Sequence, residues 1–320
     1  MLLDYTPFRV RLCGRGDARA GELIGETAMR QLSIRNLLAL AYLVALSACA
    51  TITTASKTPP TSTTFGEYAE EQCTDTDRKP VYEGGKPWNA CTRDVAQISY
   101  EYAQMAFNAY REGTAFQLGP NIKPLEYYID PKSGFAYEVY QRSENNTPAE
   151  IIISYRGTNF DQWQDWIFGN IGRLQRAQAL SAFDAVSGKY KLPTSLTGHS
   201  LGGALATQVS LCRDVHYNIV FDSSPRFSNR FCGPLRYVNH NISIVEFGEI
   251  NKLLRIFGRE PTQRYVSLNC LENGGATKQH SMRKLAACLT NIATLDGDVE
   301  AIASKKRNAI PDILEKKGGA

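Results

Sequence analysis

The sequence has 320 residues, of which 43% are hydrophobic and 21% are charged, and it includes 25 glycines and 14 prolines. This composition is typical of a globular protein and excludes a mostly disordered chain, a fibre and a protein with many membrane spans. The 36 basic and 32 acidic residues give a formal net charge of +4 without a long block of either sign. Composition and charge therefore give no support to a nucleic-acid partner.

An apolar run near the N-terminus, Leu37–Ala48, is too short for a membrane span, which needs roughly twenty apolar residues. Arg30 and Arg35 precede it, and a basic flank before a short apolar core is typical of an export signal peptide. The run leads into the letters LSAC, ending at Cys49, which resemble the lipobox of bacterial lipoproteins. The resemblance implies that Cys49 is lipidated after cleavage, and Ala50 implies sorting to the outer membrane. An ordinary secretory signal with a chance cysteine is the alternative.

This pattern divides the chain into four segments. Signal peptides begin near the initiator methionine, so we expect residues 1–28 to be a non-native extension and residues 29–48 to be the lipoprotein signal peptide. Residues 49–64 are rich in Ser, Thr and Pro, which predicts a flexible tether. Residues 65–320 have the length of one folded domain, held at the bacterial cell envelope by the lipid anchor.

The cysteines predict disulfides. Of the eight cysteines, Cys13 and Cys49 lie ahead of the predicted domain, which leaves six. An even number in an exported protein indicates disulfides, although six cysteines allow 15 pairings. Metal binding is the competing interpretation, but the sequence has no Cys-x-x-Cys pair or Cys/His cluster to support it. Pairing of sequence neighbours would give Cys73–Cys91, Cys212–Cys232 and Cys270–Cys288.

In the domain, helix-like and strand-like patterns alternate. Apolar residues recur every three or four positions over Asp94–Tyr110, which predicts a helix. Two strand-like runs, Gly134–Tyr140 and Glu150–Tyr155, flank a polar turn with Asn-Asn. The later predictions, in chain order, are a helix over Leu174–Tyr190, a strand leading into Gly198–Gly203, a helix from Gly202 to Cys212, strands over Asn218–Phe221 and Ile242–Phe247, a helix near Asn251–Phe257, a strand over Arg264–Leu268 and a helix near Gln279–Leu289. This order predicts an α/β fold, with a mainly parallel sheet and helices on both faces.

The segment Gly198–Gly203, GHSLGG, contains the Gly-x-Ser-x-Gly pattern of a nucleophile elbow. In such an elbow the serine, here Ser200, occupies a strained turn between a strand and a helix, and the glycines remove side chains that would clash. The following helix directs free N–H groups at the site, which favours developing negative charge. A tight turn capped by Ser200 is the alternative without chemistry, but the apolar stretch before it and the small-residue helix after it favour the elbow.

This elbow is similar to that of the class 3 (fungal-type) lipase family. Residues 151–158, IIISYRGT, resemble the family's strand ending in Arg-Gly-Ser/Thr, and residues 161–166 resemble the segment with Trp and Asp that follows it. Residues 220–227, VFDSSPRF, resemble the strand and proline-containing turn after the elbow. The resemblance extends over roughly residues 96–288 and implies an α/β-hydrolase fold and a carboxylic ester hydrolase, a lipase or esterase.

A serine nucleophile needs a base, and hydrolases of this fold carry Ser, acid and His in that order. His216 follows the nucleophile too closely, and His240 begins a strand ahead of any expected acid. His199 adjoins the serine, but we expect it to point away from the site and pack within the elbow. His280 remains as the catalytic base, at the loop-to-helix junction where the class 3 family places its histidine. A solvated histidine at a helix start is the alternative.

The acid is expected after the strand Ile242–Phe247. Glu249 is the first candidate, by similarity to the family's Asp-x-Val pattern, although this sequence has Glu where the family usually has Asp. Glutamate is accepted in this role among hydrolases of this fold. Asp222, after the preceding strand, and the nearby Glu246 remain open alternatives.

The oxyanion formed on attack needs two N–H donors. One is expected at the backbone of Leu201, directly after the nucleophile. The resemblance assigns the other to the backbone of Thr158. The aromatic stretch Phe160–Phe168 lies where the family carries a lid, and a core-facing amphipathic helix is the alternative.

Together these residues predict a lipid-anchored serine hydrolase that cleaves carboxylic esters of lipids, like a triacylglycerol lipase or a phospholipase A1. A lipid or ester is the expected substrate, the membrane is a partner through the anchor, and no cofactor or metal is expected. A small-ester esterase, a thioesterase and a non-catalytic binding module with a hydrolase fold are the alternatives, since a fold does not fix a substrate.

Overall fold

We describe the chain from a computed structural model. It describes residues 88–157, 171–224, 232, 239–246, 263–268, 270 and 280–312. The predictions for the extension, the signal peptide, Cys49 and the tether lie outside these residues, as does the helix expected near Asn251–Phe257.

Within the described residues, seven strands form one sheet whose spatial order is the chain order. The first three strands form an antiparallel meander, and the strands from the third to the seventh are parallel neighbours. The strands are β1 (Ile122–Ile129), β2 (Ala136–Glu144), β3 (Thr147–Tyr155), β4 (Thr194–His199), β5 (Tyr217–Phe221), β6 (His240–Glu246) and β7 (Gln263–Leu268). The prediction of a mainly parallel sheet is confirmed.

The described α-helices are α1 (Ala90–Asn108), α2 (Ile171–Tyr190), α3 (Leu201–Cys212), α4 (Met282–Ala293) and α5 (Val299–Arg307). The helix predicted over Asp94–Tyr110 is confirmed as α1, which begins four residues earlier, at Ala90, because Asn89 caps it. Its side chain accepts a hydrogen bond from the Thr92 N–H at 2.7 Å. None of the described helices is long and apolar enough to cross a membrane.

Helices cover both faces of the sheet, as predicted. One apolar core lies between the sheet and α1, α4 and α5, and the other lies between the sheet and α2 and α3. The alternation of side chains along β3 serves both cores: Ile152 packs towards α1, whereas Ile151 and Ile153 pack towards α2 and α3. The structure has two of the predicted disulfides, Cys212–Cys232 and Cys270–Cys288. Cys91 is also disulfide-bonded, and Cys73 lies outside the described residues.

Candidate active site

Ser200 occupies the turn between the end of β4 and the start of α3. Its backbone angles, φ 57° and ψ −121°, are in a region that non-glycine residues rarely adopt, at a cost of roughly 1–3 kcal/mol. Two backbone hydrogen bonds hold the turn: the Ser200 N–H donates to Phe221 O at 3.0 Å, and the Ser224 N–H donates to Ser200 O at 3.0 Å. The Ser200 side chain makes no capping hydrogen bond to α3. The turn therefore has the strained backbone of a nucleophile elbow, and the serine is not used as a helix cap.

The glycines of the elbow allow close approach of backbone to backbone. A Cβ atom on Gly198 would lie 2.5 Å from the carbonyl carbon of Gly202 and 2.9 Å from the nitrogen of Gly203. A Cβ atom on Gly202 would collide with the backbone of Tyr155 and Arg156 at the end of β3. Packing therefore requires glycine at both positions, because the start of α3 lies directly against the end of β4 and the end of β3.

Three buried side chains meet near this turn: His199 at the end of β4, Asp222 directly after β5, and His280 just ahead of α4. One ring nitrogen of each histidine and one carboxylate oxygen of the aspartate all lie within 4.8 Å of one another. The ring centroids of the two histidines are 4.5 Å apart. His199 and Asp222 stand at the carboxyl ends of adjacent parallel strands, which is where α/β folds place their binding sites.

The expectation that His199 points away from the site was wrong. Side chains two residues apart on a strand share a face, and the Thr197 hydroxyl donates to the Tyr102 carbonyl of α1 at 3.3 Å. His199 is therefore also on the face that α1 and α4 cover, which is the face where His280 lies. There the Tyr110 hydroxyl contacts its Nδ1 atom at 2.8 Å. Tyr110 was not anticipated from the sequence, because no motif marks it.

Two of the three candidate acids are described. Asp222 is fully buried and has a left-handed backbone with φ 41°. One of its carboxylate oxygens accepts a hydrogen bond from the Glu246 N–H at 2.8 Å. The Glu246 side chain is directed elsewhere, since its carboxylate accepts from the Cys270 N–H at 2.9 Å. Glu249 lies outside the described residues. Among the carboxylates that the structure describes, Asp222 is the one grouped with His280.

The expected oxyanion donors are described in part. Leu201 is the first residue of α3, and the N–H groups of a first helical turn have no partner within the helix. Thr158 and the stretch Phe160–Phe168 lie outside the described residues. The residue before Thr158, Gly157, lies close to the elbow, because a Cβ atom there would be 2.6 Å from the His199 carbonyl oxygen. The end of β3 therefore approaches the nucleophile turn.

The other two histidines are far along the strands from this site. His216 lies just ahead of β5, and His240 is the first residue of β6. Both rings contact Tyr217, with ring centroids 4.2 Å and 5.7 Å away. They thus lie at the amino ends of the parallel strands, opposite the elbow, in agreement with their exclusion from the site.

The donor set of His199, Asp222 and His280 is also of a type that binds zinc or iron. A histidine and a carboxylate beside a strained serine are equally typical of the base and acid of a serine hydrolase. The hydrolase interpretation also explains the nucleophile elbow, whereas a metal site does not.

Comparison with known proteins supports the same chemistry. Residues 95–223 match the family described as phospholipase-like, a Tle-like phospholipase domain. The match includes Ser200 and Asp222 and ends before His280. No curated protein matches the chain.

Similar solved structures include three fungal lipases. A lipase from Rhizopus microsporus var. chinensis is 16% identical with a TM-score of 0.40, over 53% of this chain and 72% of the lipase. A triacylglycerol lipase from Penicillium expansum is 12% identical with a TM-score of 0.40, over 56% and 82%. Lipase II from Rhizopus niveus is 15% identical with a TM-score of 0.37, over 52% and 77%.

The described part of the chain thus has a mainly parallel sheet between two helical layers, with a nucleophile elbow at the carboxyl end of β4. This is an α/β-hydrolase fold. Together with the similarity of residues 95–223 to the phospholipase-like family, this fold indicates an ester hydrolase.

Proposed function

We propose that this protein hydrolyses the carboxylic esters of lipids through an acyl-enzyme on Ser200. The observation that carries the proposal is the strained serine at the start of α3 with buried His280 and Asp222 gathered near it. The phospholipase-like match favours a glycerophospholipid as substrate, attacked at an acyl ester in the manner of a phospholipase A1. A triacylglycerol is the alternative within the same chemistry.

In this mechanism the Ser200 hydroxyl attacks the acyl carbon while His280 accepts its proton. The resulting oxyanion is stabilised by the N–H groups of Leu201 and Thr158, each worth about 3 kcal/mol. His280 then protonates the leaving alcohol, which departs from the acyl-enzyme. A water molecule, activated by the same histidine, releases the fatty acid and restores the serine.

For the acid that orients His280 we propose Asp222 ahead of Glu249. Its carboxylate lies within 4.8 Å of the His280 ring nitrogen, and one of its oxygens is fixed by the Glu246 N–H. We expect Asp222→Asn to lower kcat by roughly 10⁴-fold, as loss of the triad acid does elsewhere, and Glu246→Gln to lower it far less. A comparable loss in Glu249→Gln, with Asp222→Asn active, would assign the acid to Glu249.

Fluorophosphonate labelling followed by peptide mapping tests the nucleophile. We expect one adduct, on Ser200, that is absent from Ser200→Ala and strongly reduced in His280→Ala. Ser187→Ala, a change in α2 away from the elbow, is the matched control and should label like the unchanged protein. A folded protein without an adduct, tested with and without detergent micelles, would favour the non-catalytic binding module.

Substrate assays separate the ester classes. We expect release of fatty acid from phospholipid vesicles to exceed release from triacylglycerol emulsions and from short p-nitrophenyl esters. Turnover of acetate esters alone would make the protein a small-ester esterase, and a preference for acyl thioesters would make it a thioesterase. Either result would refute the lipid-ester proposal while leaving the serine mechanism intact.

We further propose that the protein is lipidated at Cys49 and tethered through residues 49–64 at the bacterial cell envelope, in the outer membrane. The short apolar run and the lipobox-like letters before Cys49 support this. Metabolic labelling with a fatty acid should mark the protein but not Cys49→Ala, and Cys13→Ala should still be labelled. Peptides from residues 1–28 in a strain blocked in processing would contradict a start at Met29.

A further inference from the structure

The hydroxyl of Tyr110 lies between the end of β3 and the elbow. It is 2.8 Å from His199 Nδ1 and 3.4 Å from the His199 carbonyl oxygen. A Cβ atom on Gly157 would lie 2.6 Å from that carbonyl oxygen and closer still to the Tyr110 hydroxyl oxygen. One hydroxyl group therefore contacts both the residue before the nucleophile and the residue before the expected oxyanion donor at Thr158.

The contacts of Tyr110 indicate where its proton lies. Burial raises the pKa of Tyr110 well above its ordinary value, and the charge of Glu112 adds to the rise, so the hydroxyl keeps its proton. The hydroxyl donates to the His199 carbonyl oxygen and also shares a hydrogen bond with His199 Nδ1, in which the tautomer of the ring decides the donor.

His199 in turn packs against His280. The ring centroids are 4.5 Å apart with the planes inclined by 45°, and each histidine is only 4% exposed. One carboxylate oxygen of Asp222 lies within 4.8 Å of a ring nitrogen of both histidines. A shift of the His199 ring would therefore displace both the His280 imidazole and the Asp222 carboxylate.

We propose that Tyr110 and His199 are a positioning pair for the hydrolysis proposed above. Tyr110 fixes the ring of His199, and this ring holds the His280 imidazole and the Asp222 carboxylate in their working arrangement. Both are assigned as positioning residues, which act through His280. The pair also joins the elbow to Gly157, so that base and oxyanion donors are held by one set of contacts. The inference rests on the proposed function, since it assigns His280 as the base.

Steady-state kinetics on one phospholipid substrate distinguish positioning from a role in stability alone. We expect Tyr110→Phe to lower kcat about tenfold and His199→Phe about 100-fold, each with KM changed less than about twofold. His199→Gln, whose amide can keep a hydrogen bond to the Tyr110 hydroxyl, should recover part of the loss. The matched control is Tyr155→Phe, which removes a buried hydroxyl bonded to the Ala179 carbonyl at 2.9 Å.

Tyr155→Phe should keep the kcat of the unchanged protein even if it unfolds more easily. Unaltered kcat in both Tyr110→Phe and His199→Phe would overturn the positioning pair. An equal loss of kcat in Tyr155→Phe would overturn it too, because a general loss of rigidity would then account for the result.

A spectroscopic experiment separates failure of this inference from failure of the proposed function. In the Ser200→Ala protein, which needs no activity, the ring N–H protons of ¹⁵N-labelled His280 are recorded by NMR. We expect Tyr110→Phe in this background to shift or broaden the His280 resonance, and Tyr155→Phe to leave it unchanged. An unmoved resonance in Tyr110→Phe refutes the pair. If no ester is hydrolysed by the unchanged protein, the proposed function fails, and this comparison still decides the pair.

Discussion

The close approach of α3 to β3 gives a quantitative test through Gly202→Ala. The new Cβ atom would lie 2.8 Å from the carbonyl carbon of Tyr155, 2.9 Å from that of Arg156 and closer still to the Tyr155 carbonyl oxygen. Real Cβ atoms essentially never come within 3.0 Å of such atoms. All three atoms belong to the backbone at the end of β3, and Tyr155 is paired with strands on both sides. The contact can therefore be relieved only by moving the first turn of α3.

The loss of stability in Gly202→Ala depends on whether side chains or backbone must move. Overpacking a dense core lowers the free energy of unfolding by about 1–3 kcal/mol. Because the backbone must move here, we expect a loss near the upper end, at about 3 kcal/mol. In a domain of about 250 residues each kcal/mol corresponds to roughly 2–4 °C, so Tm should fall by about 6–12 °C. Because the displaced turn carries Ser200, fluorophosphonate labelling should also slow by about tenfold or more.

Gly188→Ala is the matched control. Gly188 lies in α2, where an added Cβ atom would meet nothing within 4 Å. Alanine is favoured over glycine in a helix interior by about 0.5–1 kcal/mol, so Tm should rise by about 1–4 °C with an unchanged rate of labelling. A Gly202→Ala protein with the Tm and the labelling rate of the unchanged protein would refute the close approach on which the elbow assignment depends.

Three further predictions concern pH, the disulfides and metals. Hydrogen bonds from the Ser133 hydroxyl, the Lys132 N–H and the Gln178 amide lower the pKa of Asp130 from 3.8 to about 2. The stabilisation of the fold by ionised Asp130 is present above pH 3.8 and is lost as pH falls towards about 2. Asp130→Asn should therefore flatten the fall in Tm between these pH values, and an unchanged slope of Tm against pH would contradict the prediction. Cys212→Ser with Cys232→Ser opens a crosslink of sequence separation 20 and should reduce the free energy of unfolding in urea by about 3 kcal/mol, whereas an unchanged midpoint would show that the crosslink contributes nothing. Dialysis against EDTA should leave ester hydrolysis unchanged, and a loss restored by Zn²⁺ would instead make the histidines and aspartate a metal site.

The parts of the fold that sequence patterns predict are those with strong burial. The parallel strands and α2 and α3 contribute to two apolar cores, so their hydrophobic period is clear. The edge strand β1 was not predicted, because its sequence contains a proline and two charged residues and it is irregular between Pro124 and Glu126. The short helix α5 was also missed, since Val299 and Ile302 are exposed and only Ala301 and Ser304 are buried.

Part of the candidate site is determined by residues that are neighbours in the sequence, and part by residues that only the fold brings together. The elbow depends on neighbouring residues, so the pattern around Ser200 predicts its backbone. The cluster of His199, Asp222 and His280 depends on which strands are adjacent and which helix covers which face, and a local pattern does not contain this. The period of two along β4, which places Thr197 and His199 on one face, could have indicated that His199 faces α1.

The order of the strands gives a physical reason for the choice of acid. Neighbouring strands lie about 4.8 Å apart, and β5 is directly beside β4, so Asp222 is one strand away from the elbow. A residue after β6 starts about 10 Å away and must reach back over the end of β5. The chain also tolerates a left-handed backbone at Asp222 next to the strained Ser200, and the Ser224 N–H bonds to the Ser200 carbonyl, so the two turns support each other. Strained backbone costs free energy and clusters at active sites. Strain at two adjacent strand ends is therefore consistent with a site that holds a buried carboxylate near its nucleophile. An indispensable Glu249 with a dispensable Asp222 would show that adjacency in the sheet does not select the acid.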